Sequence, residues 1–206
     1  MKIITLLSRK GGSGKTTLSV HLSVFAALRG RGVVLVDLDP QGSACTWYEL
    51  RDIDSEFITI PASAAELPKI IQQAKEGGAD LVVIDTAPHS DKEAAAAVRL
   101  SDFALIPCRP ELFDLKAIPA SFDIVKLTNT KAAVVLNGCP RGKVATEAHE
   151  ALEAQGYPVL NLTISDRVAF KHAIREGRCV HEYDPDSVAA ADITTLFDFL
   201  EKEVQI

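Results

Sequence analysis

The chain contains no apolar run near the roughly 20 residues that a membrane-spanning helix needs; its longest apolar stretches are strand-length and are broken by Arg, Gly or Asp. Low-complexity segments are also missing, and the 12 Gly and 10 Pro are scattered over 206 residues. That pattern excludes disordered, collagenous and repeat architectures. Cysteine is sparse: Cys45, Cys108, Cys139 and Cys179 lie far apart and form no C-x-x-C pair, and no secretory leader precedes them. They read as reduced thiols of a cytoplasmic protein. Positive charge is not in excess, since 22 Lys and Arg face 28 Asp and Glu for a net charge of -6. Bulk charge therefore offers nucleic acid or anionic lipid no general attraction, and any such binding requires a local patch. With 47% hydrophobic residues, the chain is long enough to bury a sizeable core as one globular domain.

Short β-branched runs recur at residues 3–7, 33–36, 57–60, 81–84, 103–107, 132–136 and 157–160. Most are apolar at every position, as strands buried on both faces are. Helical periodicity fills the intervals, at about 15–29, 43–51, 64–76, 91–100, 114–127, 143–154, 166–176 and 186–203. This alternation predicts an α/β fold, a doubly wound and mostly parallel sheet with helices on both faces. No linker or charge block divides the chain, so residues 1–206 are expected to form a single domain. In such sheets ligands bind beyond the carboxyl ends of the strands, which makes the residue just after each apolar run the informative one.

After the first run comes Ser8-Arg9-Lys10-Gly11-Gly12-Ser13-Gly14-Lys15-Thr16-Thr17, leading into the amphipathic pattern Leu18, His21, Leu22, Phe25. Strand, glycine loop and helix in that order make a phosphate cradle. Glycines let backbone N–H groups converge on phosphate oxygens, the helix N-terminus adds its dipole, Lys15 reaches the β and γ phosphates, and the Thr16 hydroxyl suits Mg²⁺. The common pattern G-x-x-x-x-G-K-[ST] has Gly where this chain has Arg9, and the chain instead carries Lys10 just before two glycines. The second run ends in Asp37-Leu38-Asp39-Pro40-Gln41-Gly42 and the fourth in Asp85-Thr86-Ala87-Pro88. Both place carboxylates at the sheet edge that carries the glycine loop, where they can orient water or bind Mg²⁺.

K-G-G-x-G-K-T-T, D-x-D-P-Q-G and D-T-A-P, in that order, resemble the deviant Walker A, switch I and Walker B motifs of the ParA/MinD family of ATPases, over nearly the whole chain. The resemblance implies a P-loop NTPase fold, ATP and Mg²⁺ as ligands, and slow, partner-stimulated hydrolysis. Nucleotide contacts are expected from Gly11, Gly12, Ser13, Gly14, Lys15, Thr16 and Thr17, and metal contacts from Thr16, Asp37, Asp39 and Asp85. By the same resemblance Lys10 is the signature lysine that crosses to the partner's nucleotide in an ATP-sandwich homodimer, Lys15 serves its own nucleotide, and Asp39 positions the attacking water. After the sixth run, Asn137 sits where related ATPases hold the adenine edge; an Asn-Gly turn is the alternative.

A basic stripe stands out in an otherwise acidic chain. Arg167, Lys171, Arg175 and Arg178 fall within an arc of about 80° if the helix runs on through Gly177. A solvated helix face is the plain alternative, but ParA proteins carry C-terminal basic residues that bind double-stranded DNA non-specifically in the ATP state, and such a stripe can follow a phosphate backbone. The first strand begins at residue 3, so no N-terminal helix-turn-helix and no operator-specific repression are expected.

The resemblance points to a partition or cargo-positioning ATPase with a ParB-like or cargo adaptor as partner, cytoplasmic and nucleoid-associated in the ATP state. Two alternatives stand beside it. A MinD-like membrane ATPase needs a basic amphipathic tail, whereas residues 196–206 hold more acids than Lys202 can offset; no membrane partner is expected. The other is a metabolic or redox enzyme on the same scaffold; Cys108 and Cys139 would serve its iron-sulfur form, but neither sits in a recognisable cluster-ligand context. His21, His89, His149, His172 and His181 have no metal-ligand spacing with the cysteines.

Overall fold

Among the described residues of the computed structural model, 1–53, 57–88 and 90–206, seven strands form one sheet. They are β1 (Lys2–Leu6), β2 (Val33–Asp37), β3 (Phe57–Pro61), β4 (Leu81–Asp85), β5 (Phe103–Cys108), β6 (Ala132–Cys139) and β7 (Val159–Ser165). The helices are α1 (Lys15–Leu28), α2 (Ser43–Glu49), α3 (Leu67–Glu76), α4 (Asp91–Arg99), α5 (Leu112–Leu115), α6 (Ile118–Thr128), α7 (Val144–Ala154), α8 (Val168–Arg175), α9 (Val180–Tyr183) and α10 (Val188–Val204). His89 lies outside the described residues.

The strand order is β3-β2-β4-β1-β5-β6-β7 and every pairing is parallel. The expected sheet is therefore present, and it is wholly rather than mostly parallel. Side chains sort by the period of two that a pleated strand imposes. Leu35 and Val83 join the core beneath α1 and α10 with Leu22, Ile193 and Leu196, whereas Val34, Val36, Val82 and Ile84 pack against Leu67 and Ala97 on the other face. Both faces are covered, which is why the strands read as unbroken apolar runs. β1 lies at the centre, with β4 and β5 on its two sides, so its carboxyl end opens at the place where the winding reverses.

Local chemistry explains the departures from periodicity. The helix expected at 114–127 is two, α5 and α6, because Pro119 at the start of α6 lacks an N–H and its ring excludes helical continuation from Leu115. β7 runs well past residue 160. Its Asn161 and Thr163 are exposed while Leu160 and Ile164 are buried, the half-polar alternation of an edge strand. β6 carries Asn137 and Gly138 within the strand instead of in a turn, with register irregularities against β7 at that point. α10 buries Ile193, Leu196, Phe197, Leu200 and Val204 against the sheet. No helix among the described residues is long and apolar enough to cross a membrane.

His21 of α1 is fully buried beside Phe170, ring centroids 5.2 Å apart, and neither ring nitrogen has a hydrogen-bond partner among the described residues. Burial, with His181 nearby, pushes its pKa down to about 3. The unfolded chain therefore takes up this proton near pH 6.5 while the folded chain does not, so stability is full above that pH and falls as pH drops from about 6.5 toward 3. Between pH 7.5 and pH 5 this group alone costs about 2 kcal/mol of folding stability, read as the difference between wild type and His21→Leu in urea unfolding across that window. His21→Leu should remove most of that pH dependence.

Candidate nucleotide-binding site

The loop after β1 is shaped by backbone conformations that only glycine accepts readily. Gly12 and Gly14 have φ of +77° and +99°, and a Cβ on Gly14 would lie 2.0 Å from Nδ2 of Asn137. The close approach has a purpose, because Nδ2 donates to the Ser13 carbonyl at 2.7 Å and ties the loop to β6. Ser8 Oγ accepts the Lys10 N–H at 3.2 Å on the other limb of the loop. α1 then starts at Lys15 with no side-chain cap and no acid in its first turn, leaving its leading N–H groups to an incoming anion. Together with Asp39, Arg109, Arg167 and Lys171 the loop lines a cleft of about 430 Å³, a size that suits a nucleotide.

The carboxylates take different parts. Asp85 ends β4 in register with Leu6 of β1 and Asp37 of β2. It has no solvent exposure, and its Oδ2 accepts the Thr16 hydroxyl at 2.6 Å while Oδ1 has no partner among the described residues. Burial, reinforced by the Asp37 charge, raises its carboxyl pKa to about 7; the Thr16 hydrogen bond and Lys15 oppose the shift. Burial likewise lowers the pKa of the Lys15 ammonium, against the pull of Asp85 and Asp39. An orphaned buried carboxylate oxygen beside a threonine hydroxyl is the donor set a Mg²⁺ ion and its water suit, with Thr16 as ligand and Asp85 behind it.

Asp37 is buried and uses both oxygens on backbone: Oδ1 accepts the Asp39 N–H at 3.0 Å, and Oδ2 accepts those of Ala44 and Cys45 at 2.9 and 3.2 Å. It forms the post around which the 37–45 loop turns. Asp39 is half-buried on the cleft wall, and its Oδ1 accepts the Gln41 N–H at 2.9 Å. Lys10 is half-buried and close enough to the buried Asp114 of α5 for its charge to offset part of the rise that burial imposes on that carboxyl.

The basic stripe is not continuous. α8 ends at Arg175, and Gly177 turns left-handed at φ +66°. The N–H groups of Gly177 and Arg178 return to the carbonyls of Ile174 and Ala173 at 3.2 and 2.9 Å, a paired closure that stops the helix. Arg178 is thus half-buried and off the helix, correcting the expectation of a single four-residue arc; Arg167 and Lys171 line the nucleotide cleft, and Arg175 is exposed. Arg109 is a cleft residue that sequence reasoning missed. Its one signal was its position immediately after β5. Arg9, standing where many phosphate loops have Gly, pairs with Asp91 at the start of α4 at 2.9 Å. Cys108 and Cys139 are buried, and burial raises their thiol pKa to about 12 and about 11, a poor setting for thiolate ligands.

Two outcomes follow from the geometry. Asn137→Asp, which sets a carboxylate against the Ser13 carbonyl, should weaken Mg-ADP binding by about tenfold or more in calorimetry, the equivalent of about 1.4 kcal/mol; wild-type affinity would show that the tie does not shape the cradle. Asp85→Asn removes a buried ionisation and should raise the melting temperature of the nucleotide-free protein while abolishing the gain in ADP affinity from Mg²⁺. A variant that lost stability and kept the Mg²⁺ effect would contradict both assignments.

Comparison with known proteins agrees with this arrangement. The profile of the CobQ/CobB/MinD/ParA nucleotide binding domain matches residues 4–180. The maintenance of carboxysome distribution protein A of Halothiobacillus neapolitanus is 31% identical over 198 residues, covering 92% of this chain and 91% of that one. The sporulation initiation inhibitor protein Soj of Bacillus subtilis is 34% identical over 146 residues, covering 60% and 56%. In fold, the cell division ATPase MinD of Pyrococcus furiosus superposes with a TM-score of 0.82 at 24% identity over 98% of both chains. With the cradle at residues 11–17, the Thr16–Asp85 pair behind it and a family profile over most of its length, this chain belongs to the CobQ/CobB/MinD/ParA family of nucleotide-binding proteins and resembles its ParA-type partition and positioning members.

Proposed function

We propose that this protein is an ATP-driven switch that positions an intracellular cargo over DNA. One cleft at the carboxyl end of β1 gathers the glycine cradle, Lys15, Thr16 and Asp39, with Asp85 buried behind Thr16, and that gathering carries the reading. Residues 11–17 would hold the phosphates of ATP, and Asn137, whose Nδ2 is engaged with Ser13, would offer its carbonyl oxygen to the exocyclic amine of the base. Thr16, with Asp85 behind it, would hold Mg²⁺, whose positive charge would offset the charge of the phosphates. Lys15 neutralises the phosphates of its own nucleotide, Asp39 orients the attacking water, and Lys10 serves the nucleotide of a second copy in a face-to-face dimer. Asp37 acts on Asp39 through the loop it holds.

The dimer binds duplex DNA without sequence preference through exposed cations around α8, and an adaptor on the cargo stimulates hydrolysis and release. The carboxysome-distribution relative supports a cargo role, and its nearly matched length supports transfer of the whole activity. A membrane-surface role has less support because the apolar face of α10 is already committed to the core. The experiment is binding of the purified protein to arbitrary duplex DNA at low salt with ATP, with ADP and with no nucleotide. Binding with ATP alone, lost in Lys15→Ala, is the expected result; equal binding in all three states would overturn the switch.

A further inference from the structure

Arg109 follows β5 and lines the nucleotide cleft, yet the phosphate cradle, the Thr16–Asp85 pair and the 37–45 loop give it no part. Its base is fixed and its tip is free. Cys108, the last residue of β5, is buried in register with Leu136 of β6, and its Sγ donates to the Arg109 carbonyl at 3.2 Å. Pro110 follows and is buried, and conflict with its ring keeps Arg109 out of the helical region. The side chain then runs past Gly138, where a Cβ would lie 4.0 Å from both Cγ and Nε of Arg109. Gly138 is left-handed at φ +64° and presents no side chain to compete for that space.

Beyond that point Arg109 is exposed, and it makes no ion pair among the described residues. Asp114 of α5 draws on the charge of Lys10 ahead of that of Arg109. A cation whose stem is anchored in a cleft and whose donors are unspent loses little freedom on meeting an anion.

We propose that Arg109 binds the nucleotide of its own subunit through the diphosphate that ATP and ADP share, and not through the γ-phosphate. The inference rests on the nucleotide reading above and adds to it a residue outside the motifs. Strand order decides which part of the ligand Arg109 meets. The carboxyl ends follow one another as β2, β4, β1, β5 and β6, so Asp39, Asp85, the cradle, Arg109 and Asn137 come in that order across the cleft. Asp39 attends the γ-phosphate on one side of the cradle and Asn137 the base on the other. Arg109, on the Asn137 side, therefore stands where the inner phosphates would lie. The forked N–H donors of a guanidinium suit phosphate oxygens there, and the charge stays in place whether or not the γ-phosphate has left.

The test is calorimetric titration of the full chain with ADP and with a non-hydrolysable ATP analogue. Arg109→Ala should weaken both about tenfold and by the same factor. Arg109→Gln, which keeps a planar amide and loses the charge, should weaken them as much. Arg99→Ala, an equal loss of charge at the exposed end of α4, should bind both as the wild type does. Because Arg109 is exposed, the nucleotide-free variants should melt with the wild type, which separates lost affinity from lost fold. Wild-type affinity in Arg109→Ala, a loss confined to the ATP analogue, retained affinity in Arg109→Gln or an equal loss in Arg99→Ala would each overturn the inference and leave the nucleotide site in place. Failure of the wild-type chain to bind either nucleotide would instead overturn the nucleotide reading, and the part of Arg109 with it.

Discussion

The parallel register that sets Leu6, Asp37 and Asp85 side by side at the carboxyl ends of β1, β2 and β4 is the constraint on which the rest of the site depends. Because strands in such a sheet all point one way, three separate loops leave it together. α1 starts one loop away from β1, which brings Thr16 within 2.6 Å of Asp85. Asp85 is fully buried and Lys15 nearly so, and burial raises the pKa of the first and lowers that of the second. Each charge is thereby destabilised where it stands, with only partial relief from the other. The phosphates of a bound nucleotide would supply a counter-charge to Lys15, and a cation accompanying them one to Asp85, so the electrostatic disadvantage of this arrangement favours ligand binding.

Polar residues at strand ends also act by holding loops. Asp37 accepts three backbone N–H groups and fixes the turn that presents Asp39, and Asn137 fixes the cradle through the Ser13 carbonyl. The first set is local, two to eight residues along the chain, whereas Asn137 and Ser13 are 124 residues apart. Such contacts explain why Gly14 tolerates no side chain, a fact about β6 as much as about the phosphate.

The turn that ends α8 is also held by a buried ion pair from elsewhere in the chain. Arg51, just after α2, makes a two-pronged pair with Glu182 at 2.8 and 3.0 Å, donates to the Gly177 carbonyl at 2.9 Å, and lies over Trp47 and Phe57. A Cβ on Gly177 would meet the Leu50 carbonyl at 2.8 Å. The helix that follows the Asp39 loop thus packs directly on the turn that closes the basic helix. A buried pair of this kind adds little net stability over an apolar substitute, but losing one partner strands the other charge. It joins the end of α2 to α9 and to the turn after α8.

The sequence by itself determined the wholly local features: the apolar runs that became strands, the glycine loop between β1 and α1, and the acids that close β2 and β4. These were legible because backbone conformation, strand period and phosphate chemistry act over a few residues. The split at Pro119 was legible in principle and obscured by the apolar period around it. Only tertiary structure decided what each polar residue touches. Asn137 became a tie and Arg109 a cleft wall because the groups they meet come from elements distant in the chain, while Asp37 became a loop post and Arg178 a turn residue through partners two to eight residues away whose placement periodicity alone did not reveal. Spacing along a sequence fixes which edge of the sheet a side chain reaches, but its partner there depends on which strands lie next to it, and that order is set by packing both faces of the sheet at once.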